Sequence, residues 1–296
     1  MNRLIHDDHQ LSVIDLRVLD ILHKSVDGSA RMGDLAEALA ASRRQMTKRI
    51  DRLGERDLVR RAPDPQDRRG VVAILTDDGR SIVEQARISY GRGVARYLLG
   101  PLSTRQVETV AENCWRISQG PSAPGAPGEQ VFPEAPACYL PGIDDAGKRC
   151  WHQFLESSQV LFPAINDRLV AAQQLTLTEV VLVDRIAKSP GGSAPLSVVG
   201  EAFALQPSRV TQLVTRLETR NLVRRGPDPG DRRRVVATVT AHGRARLSPA
   251  LVVYAREIRR SYLDPMTHQQ AIALGDACRR ISVALKTGTD RFAGMR

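Results

Sequence analysis

Two stretches of the sequence that nearly repeat one another decide how the chain is organised. Residues 63–80 read PDPQDRRGVVAILTDDGR, and residues 227–244 read PDPGDRRRVVATVTAHGR, an offset of 164 positions. The same offset, without a gap, aligns residues 11–118 with residues 175–282. A repeat of this length is a duplicated domain, because the units of a solenoid span only about 20–50 residues.

The segment between the two copies is rich in Pro, Gly, Ser and Ala and has no hydrophobic period, which is typical of a linker. The second copy begins with a helical pattern at residues 148–173, and the first ten residues of the chain match only its last turns. We therefore expect the first helix of the first copy to be cut short. The predicted boundaries are a first copy at residues 1–118, a linker at 119–147, a second copy at 148–285 and a tail at 286–296.

Hydrophobic spacing within each copy indicates three helices, a hairpin and two further helices. In the first copy the pattern predicts helices at residues 11–24, 32–40 and 43–55, strands at 59–62 and 71–76, a helix beginning near 77 and a last helix at 103–118. This order is that of a winged helix-turn-helix. The predicted fold class is mainly α with small β-wings (α+β): two winged helix-turn-helix lobes joined by a helical region of the dimerisation type.

The outward face of the third helix is polar and basic in both copies. A helix fits the major groove of B-DNA, where Arg can bond guanine and Gln can bond adenine. The alternative is a solvated helix face, but a basic hairpin directly after it favours DNA. The candidate base-reading residues are Arg43, Arg44, Gln45, Thr47 and Lys48 in the first copy, and Ser208, Arg209, Thr211, Gln212 and Thr215 in the second.

The predicted hairpin tips carry clusters of arginine beside an aspartate. Arginine favours a narrow minor groove because its charge is weakly hydrated and the groove potential is strongly negative. We expect one arginine of each tip to pair with the neighbouring Asp and at least one other to contact DNA. The candidate wing residues are Arg68 and Arg69 in the first copy and Arg232, Arg233 and Arg234 in the second.

The overall charge agrees with a nucleic-acid partner. The chain has 296 residues, 43 Lys and Arg against 33 Asp and Glu, a formal net charge of +10 and a pI near 10.0. A basic enzyme is the alternative, but no Walker loop, G-x-S-x-G or H-E-x-x-H motif is present. No apolar run approaches a membrane span and the first ten residues lack a signal core, so we expect a cytoplasmic protein with no membrane partner.

The repeated stretches resemble a known family. DPQDRRGVVAILTDDGR and DPGDRRRVVATVTAHGR resemble the wing signature D-x-R-x-x-x-x-x-L-T-x-x-G of the MarR family of bacterial transcription regulators. MTKRIDRLGERDLVRR and VTQLVTRLETRNLVRR resemble its recognition helix and first wing strand, and the resemblance covers residues 5–118 and 150–285. The family forms homodimers through its first and last two helices. Two copies in one chain then imply a monomeric, covalent pseudo-dimer, with further self-association left open, that acts as a ligand- or redox-responsive repressor on double-stranded DNA.

The two copies differ where the family would have them alike. Arg49 stands at the position of Leu213, where an apolar residue is expected to pack inward, and Arg44-Gln45 aligns with Ser208-Arg209. We therefore predict that the lobes read unlike half-sites and that the operator is an imperfect palindrome. The alternative is an architectural protein that coats DNA without reading it.

The signal to which the protein responds is open to two interpretations. Cys150 lies close to where peroxide-sensing relatives place a reactive cysteine, with Cys138 as a resolving thiol, whereas the equivalent Cys114 and Cys278 are typical of inert buried thiols. A cleft for a small aromatic or lipophilic effector is the other interpretation, although aromatics at this spacing also suit a core. We predict no cofactor and, from the histidine spacing, no metal. The candidate effector or redox residues are Cys150, Trp151, Phe154 and Trp115.

Overall fold

The structure is a computed structural model that describes residues 2–39, 41–64, 70–119, 140–203, 205–228, 230 and 234–293. The first copy forms α1 (Asn2–His9), α2 (Val13–Lys24), β1 (Ser29–Arg31), α3 (Met32–Ala38), α4 (Arg43–Gly54), β2 (Val59–Pro63), β3 (Val71–Leu75), α5 (Asp77–Val94) and α6 (Thr104–Gln119). The second forms α7 (Asp145–Gln173), α8 (Leu177–Ala187), β4 (Ser193–Pro195), α9 (Leu196–Ala202), α10 (Pro207–Thr219), β5 (Val223–Pro227), β6 (Val235–Val239), α11 (Ala241–Ile258) and α12 (His268–Ala293). A π-helical turn extends α5 (Ala95–Leu99) and another extends α11 (Arg259–Leu263).

Each copy contains a winged helix-turn-helix, as predicted. The helices α2, α3 and α4 precede the hairpin β2–β3, and α8, α9 and α10 precede the hairpin β5–β6. The short strands β1 and β4, which lie between the first two helices of each set, complete antiparallel sheets with the orders β1-β3-β2 and β4-β6-β5. In the hairpins Val59 lies opposite Leu75, and Val223 lies opposite Val239. The mainly helical fold class with small β-wings is therefore confirmed.

The third strand of each sheet, β1 or β4, was not predicted. Each has only three residues, which is too short to show the alternation of a strand. Ser29 pairs with Ile74 and Ser193 pairs with Thr238, so both short strands add to the outer side of the hairpin. The hydrophobic spacing also predicts that α2 begins at Leu11, but the helix begins at Val13 because the Ser12 side chain caps it.

The apolar faces predicted for the helices form the core of each lobe. Helical spacing turns the buried residues of α2 and α4 toward one another, and the same register recurs in α8 and α10. In the first lobe the core includes Leu16, Leu19, Leu22, Met46, Ile50 and Leu53. In the second lobe the buried positions include Val183, Ile186, Val210, Leu213, Val214 and Leu217.

A threonine followed three residues later by glycine joins each wing to the next helix. The Thr76 hydroxyl accepts the Gly79 N–H at 2.9 Å and donates to the Asp57 carbonyl at 2.5 Å. A Cβ at Gly79 would collide with the Leu58 carbonyl oxygen, so the backbone comes too close for any side chain. The L-T-x-x-G part of the signature thus fixes how the helix leaves the sheet.

The second copy repeats this joint with Thr240 and Gly243. The Thr240 hydroxyl accepts the Gly243 N–H at 2.8 Å and donates to the Asn221 carbonyl at 2.6 Å. A Cβ at Gly243 would collide with the Leu222 carbonyl oxygen. The two joints are therefore the same in both lobes.

By its internal contacts the chain divides into two compact units that do not coincide with the sequence copies. The described residues of the first unit come from residues 2–111, 140–152 and 275–293, and those of the second from 112–119 and 153–274. The start of α7 and the end of α12 therefore belong to the unit that contains the first winged lobe. In that unit the Trp151 ring meets Tyr90 edge-on, with ring centroids 5.9 Å apart.

Candidate nucleic-acid interface

The third helix of the first lobe, α4, has one buried and one exposed face. Met46, Ile50 and Leu53 are buried against the core. The candidate base-reading residues Arg43, Arg44, Gln45, Thr47 and Lys48 are all exposed. The structure therefore brings the five predicted residues together on one accessible helix face.

Gln45 has a second role at the start of α4. Its side-chain oxygen accepts the Ser42 N–H at 3.0 Å, and the Gln45 N–H donates to the Ser42 hydroxyl at 3.3 Å. This is a capping box, in which both partners satisfy free N–H groups of the first helical turn. The side-chain oxygen of Gln45 is thus engaged in capping the helix. The side-chain NH₂ group is the part of Gln45 that can face a base.

The corresponding helix of the second lobe, α10, is exposed in the same way but begins differently. Gln206 occupies the N-cap without a side-chain hydrogen bond, and Pro207 fills the first turn. Proline suits this position because its missing N–H would have no helical partner there. The five candidates Ser208, Arg209, Thr211, Gln212 and Thr215 are all exposed.

The exposed faces of the two helices differ in charge. In the first lobe Arg43, Arg44 and Lys48 supply three cations. In the second lobe the candidate face holds one cation, Arg209, whose Nη1 lies 3.4 Å from the Gln212 side-chain oxygen. The first lobe is therefore better equipped for phosphates, and the second is closer to neutral.

An arginine on the first wing strand ties each recognition helix to its sheet. In the first lobe Arg61 contacts the Asp51 carboxylate at 2.7 Å and donates to the Thr47 carbonyl at 3.0 Å. In the second lobe Arg225 contacts the Glu218 carboxylate at 2.7 Å, and its backbone N–H donates to the same group at 3.0 Å. The backbone hydrogen bond from Arg225, followed by its side chain, lowers the pKa of Glu218.

The sequence analysis missed the arginine that precedes each of these. Arg60 and Arg224 are exposed on the same strands, one residue before the arginines that contact the recognition helices. The signal was present in the repeated L-V-R-R run, in which the valine is buried and the arginines are not. Both are candidates for phosphate contacts.

The wing tips lie largely outside the described residues. This holds for Arg68, Arg69, Arg232 and Arg233, so their contacts with DNA stay predictions. Arg234 is described and exposed, and its carbonyl accepts the Asp228 N–H at 3.0 Å.

The base of the first wing is closed by two contacts. The Asp64 N–H donates to the Gly70 carbonyl at 3.0 Å, and the Asp64 carboxylate, which is buried, contacts Arg31 of β1 at 2.6 Å. In the second lobe Pro195 stands at the position of Arg31, so this ion pair has no counterpart there. An ion pair to the neighbouring short strand thus holds the base of the first wing, and the second wing does not have this ion pair.

The structure also corrects the expectation for Arg49. The sequence predicts an inward apolar residue at this position of the helix, as Leu213 is in the second lobe. Arg49 instead extends to the Asp15 carboxylate of α2, with an Nη1 to Oδ1 distance of 2.5 Å. A partly buried ion pair therefore takes the place of an apolar contact.

The candidate effector or redox residues do not gather in one unit. Cys150 and Trp151 are buried in the first unit, whereas the half-buried Trp115 and Phe154 belong to the second. Cys114 is buried as expected, but Cys278 is exposed. Cys138 lies outside the described residues.

Two further predictions concern sites that the molecule would lack. Among the described residues there is no group of three or more His, Cys, Asp or Glu side chains that could hold a metal ion. Within the same part of the chain, no helix is both long and apolar enough to cross a membrane.

Comparison with known proteins places both lobes. A MarR family model matches residues 11–71, and a second MarR family model matches residues 173–234. The HTH-type transcriptional repressor NicR of Pseudomonas putida is 31% identical over 98 residues, which cover 33% of this chain and 61% of that protein. The multiple antibiotic resistance protein MarR of Salmonella typhimurium is 32% identical over 77 residues, 26% of this chain and 54% of that protein.

These alignments thus span little more than half of the two relatives. Among solved structures, that of Sco3205, a MarR family transcriptional regulator from Streptomyces coelicolor in complex with DNA, is similar over 48% of this chain and 93% of that chain. Its identity is 22% and its TM-score is 0.47. The relatives carry the names of transcription regulators, and none of these names is that of an enzyme.

Proposed function

Because the chain belongs to the MarR family and carries its winged helix-turn-helix twice, we propose that it is a transcription regulator that binds double-stranded DNA sequence-specifically. The observation that carries this proposal is the pair of recognition helices, α4 and α10, each with a buried apolar face and an exposed face of Arg, Lys, Gln, Ser and Thr. Such a face suits the major groove, where these side chains bond base edges. The proposed mode of action is repression.

The proposed arrangement is a single-chain pseudo-dimer on an imperfect palindrome. A linker between two lobes turns the second binding step into an intramolecular one at high effective concentration. Unlike residues at equivalent places of α4 and α10 then favour unlike half-sites. One 32.6 kDa chain for each operator, measured by light scattering of the complex, is the expected stoichiometry. Two chains for each operator would contradict it.

Selection of bound duplexes from a random pool, with the full chain, tests the function. We expect one enriched sequence with two related half-sites, bound about 10³-fold more tightly than random duplex at the same salt concentration. A ratio near unity would instead identify an architectural protein. Replacing Arg68, Arg69, Arg232 and Arg233 by alanine is the companion variant, and unchanged occupancy would contradict a role of the wings.

A recess in the second unit supports an apolar effector. It has a volume of about 530 Å³ and lies between α8 and α11. The recess is open to solvent, and Val252 of its wall is exposed, so an effector there would be only partly enclosed. Its wall is mostly aliphatic and is formed by Ala187, Arg244, Leu247, Ser248, Leu251, Val252 and Ala255.

The first lobe offers no matching recess by sequence. Arg87 stands at the position of Leu251 and is ion-paired with Asp20 at 2.5 Å. We therefore expect 1-anilinonaphthalene-8-sulfonate to bind the second lobe and Leu251→Arg to abolish that binding. Arg87→Leu is the matched control in the first lobe. Binding that survives Leu251→Arg would place the effector elsewhere.

The burial of Cys150 favours a ligand over an oxidant as the signal. Its side chain has no exposed surface, and a buried thiol reacts slowly. We expect hydroperoxide to change operator affinity equally in the parent protein and in Cys150→Ser. A response that the Cys150→Ser variant loses would restore the redox hypothesis.

A further inference from the structure

A buried carboxylate lies beneath the recognition helix of the first lobe. Asp15, in the first turn of α2, has a side chain that is 12% exposed. Its carboxylate accepts the Ser12 N–H at 2.9 Å and the Ser12 hydroxyl at 2.6 Å, and Arg49 of α4 reaches it at 2.5 Å. Burial acts to raise the pKa of Asp15, but the hydrogen bonds from Ser12 and the contact with Arg49 together lower it.

The second lobe also has a buried carboxylate beneath its recognition helix, but other arginines pair with it. Glu179, at the position of Asp15, has a side chain that is 1% exposed and accepts the Thr176 N–H at 2.8 Å. Arg216 of α10 contacts it at 3.0 Å, and Arg220, just after α10, contacts it at 3.2 Å. Leu213, at the position of Arg49, is buried.

The arginines of the second lobe are also present in the first but lie farther from the carboxylate. Arg52, the counterpart of Arg216, is 3.8 Å from Asp15. Arg56, the counterpart of Arg220, donates to the carbonyls of Gln10 and His9 at 2.8 and 3.0 Å. Because aspartate is one methylene shorter than glutamate, its carboxylate stays 3.8 Å from Arg52, whereas that of Glu179 lies 3.0 Å from Arg216, and Arg49 approaches Asp15 from an earlier turn of the helix.

We propose that Asp15 and Arg49 are one exchangeable unit, equivalent to Glu179 with Arg216 and Arg220, that positions each recognition helix on the helix before it. A buried carboxylate without a partner is strongly unfavourable. The length of the acid therefore dictates where the arginine must stand, and this ion pair fixes how α4 lies on α2. The inference rests on the proposed function, because it assigns positioning residues to the recognition helices.

Arg49 differs in this respect from the cations on the outer face of α4. Its side chain is 19% exposed and its guanidinium also donates to the Ser12 hydroxyl at 3.1 Å. It is thus engaged on the protein side of the helix, whereas Arg43 and Arg44 face outward. Arg49 is a positioning residue and not a DNA contact.

The proposal is tested by giving each lobe the acid and the arginine position of the other lobe. We expect Arg49→Leu to weaken protection of one half-site in a footprint about tenfold and to lower the thermal-unfolding midpoint. Adding Asp15→Glu, which copies the second lobe, should restore both quantities, because glutamate extends to Arg52 and Arg56. Arg17→Val, an exposed change that also copies the second lobe, is the control for the loss of one positive charge.

Rescue is the decisive readout, because general damage to the lobe would not be repaired by a longer acid. A double variant as impaired as Arg49→Leu in both measurements overturns the proposal. If Arg49→Leu does not fold, the reverse exchange decides: Leu213→Arg must restore what Glu179→Asp loses. Should the parent chain prefer no DNA sequence, the proposed function fails, and the unfolding midpoints of the same variants still judge the pairing.

Discussion

The two lobes share most of their apolar interior and differ in several ion pairs, although the pair of Lys24 with Asp20 recurs as Lys188 with Asp184. Arg61 and Arg225 occupy equivalent places on the wing strands, yet one reaches Asp51 and the other reaches Glu218, which lie on different turns of their helices. The position of Glu218 is a glycine in the first lobe, and that of Asp51 is a threonine in the second. The function of the contact has been kept while the residue that supplies the carboxylate has moved.

Other ion pairs exist in one lobe only. Arg31 holds the buried Asp64 at the base of the first wing, and Pro195 replaces it in the second. Arg87 pairs with Asp20 in the first lobe, and the second has Leu251 there. Apolar positions constrain one another through close packing, whereas a carboxylate accepts an arginine from several directions. Duplication therefore leaves the core recognisable and lets polar contacts and outer faces diverge.

The joints between wing and helix should respond alike in both lobes. Gly79→Ala and Gly243→Ala each place a methyl group against a backbone carbonyl, which cannot move aside without shifting the sheet. We expect each to destabilise its lobe by about 3 kcal/mol. Chemical denaturation measures the loss, with Gly33→Ala, where a Cβ has open space, as the control. A large loss of stability in one lobe alone would show that the two joints are not equivalent.

The outer faces of the recognition helices should respond unequally. Arg43→Gln, Arg44→Gln and Lys48→Gln together remove three exposed cations from α4, whereas Arg209→Gln removes one from α10. Since each neutralised phosphate contributes about 0.9 to the slope of log affinity against log salt, we expect losses of about 3 and about 1. Binding measured from 50 to 200 mM salt gives both slopes. Equal losses of slope would show that the additional cations of α4 do not contact phosphates.

His23 should make the first lobe more sensitive to acid than the second, which has Ala187 there. Burial and the neighbouring Arg87 and Arg80 lower the pKa of His23 from its ordinary value of 6.5. The unfolded chain then binds the proton more readily, so stability falls as the pH drops below about 6.5. We expect His23→Ala to flatten the dependence of the unfolding midpoint between pH 5 and 7.

The exposed His242→Ala is the control for this measurement. It should leave the pH dependence as it is in the parent protein. An unchanged slope in His23→Ala would show that the acid sensitivity arises from other groups.

The equivalent cysteines provide the smallest contrast. Cys278 is exposed and Cys114 is buried, but desolvation still raises the pKa of Cys278 above its ordinary value of 9.0. In a Cys138→Ser background we expect iodoacetamide to modify Cys278 before Cys114 and Cys150. The rate at Cys278 should still be rising at pH 9, because the thiolate fraction is still growing. Mass spectrometry of the peptides measures the order, and earlier modification of Cys114 would contradict it.

The sequence predicted those parts of the fold in which apolar residues recur at regular spacing. The helices and hairpins follow from apolar spacing, and the exposed faces of α4 and α10 follow from the same register. The prediction for Arg49 was wrong because apolar spacing shows that a position faces inward, but it does not show that the Asp15 carboxylate lies opposite that position. Asp15 gave no signal of its own, since an acid in the first turn of a helix is ordinary.

The partition of the chain into units was also beyond the sequence. The linker composition predicts where one copy ends, but it does not reveal which unit the flanking helices join. That choice depends on contacts between residues far apart in the chain, such as Tyr90 and Trp151. The predicted domain boundaries describe the repeat in the sequence.

The exchange of segments between the units has a consequence for how such a protein can change over time. The first unit takes residues 140–152 and 275–293 from the second half of the polypeptide, and the second unit takes residues 112–119 from the first half. A gene shortened to either half would therefore encode neither unit in full. Because neither half of the polypeptide supplies a whole unit, we expect the two halves to be kept together in one gene.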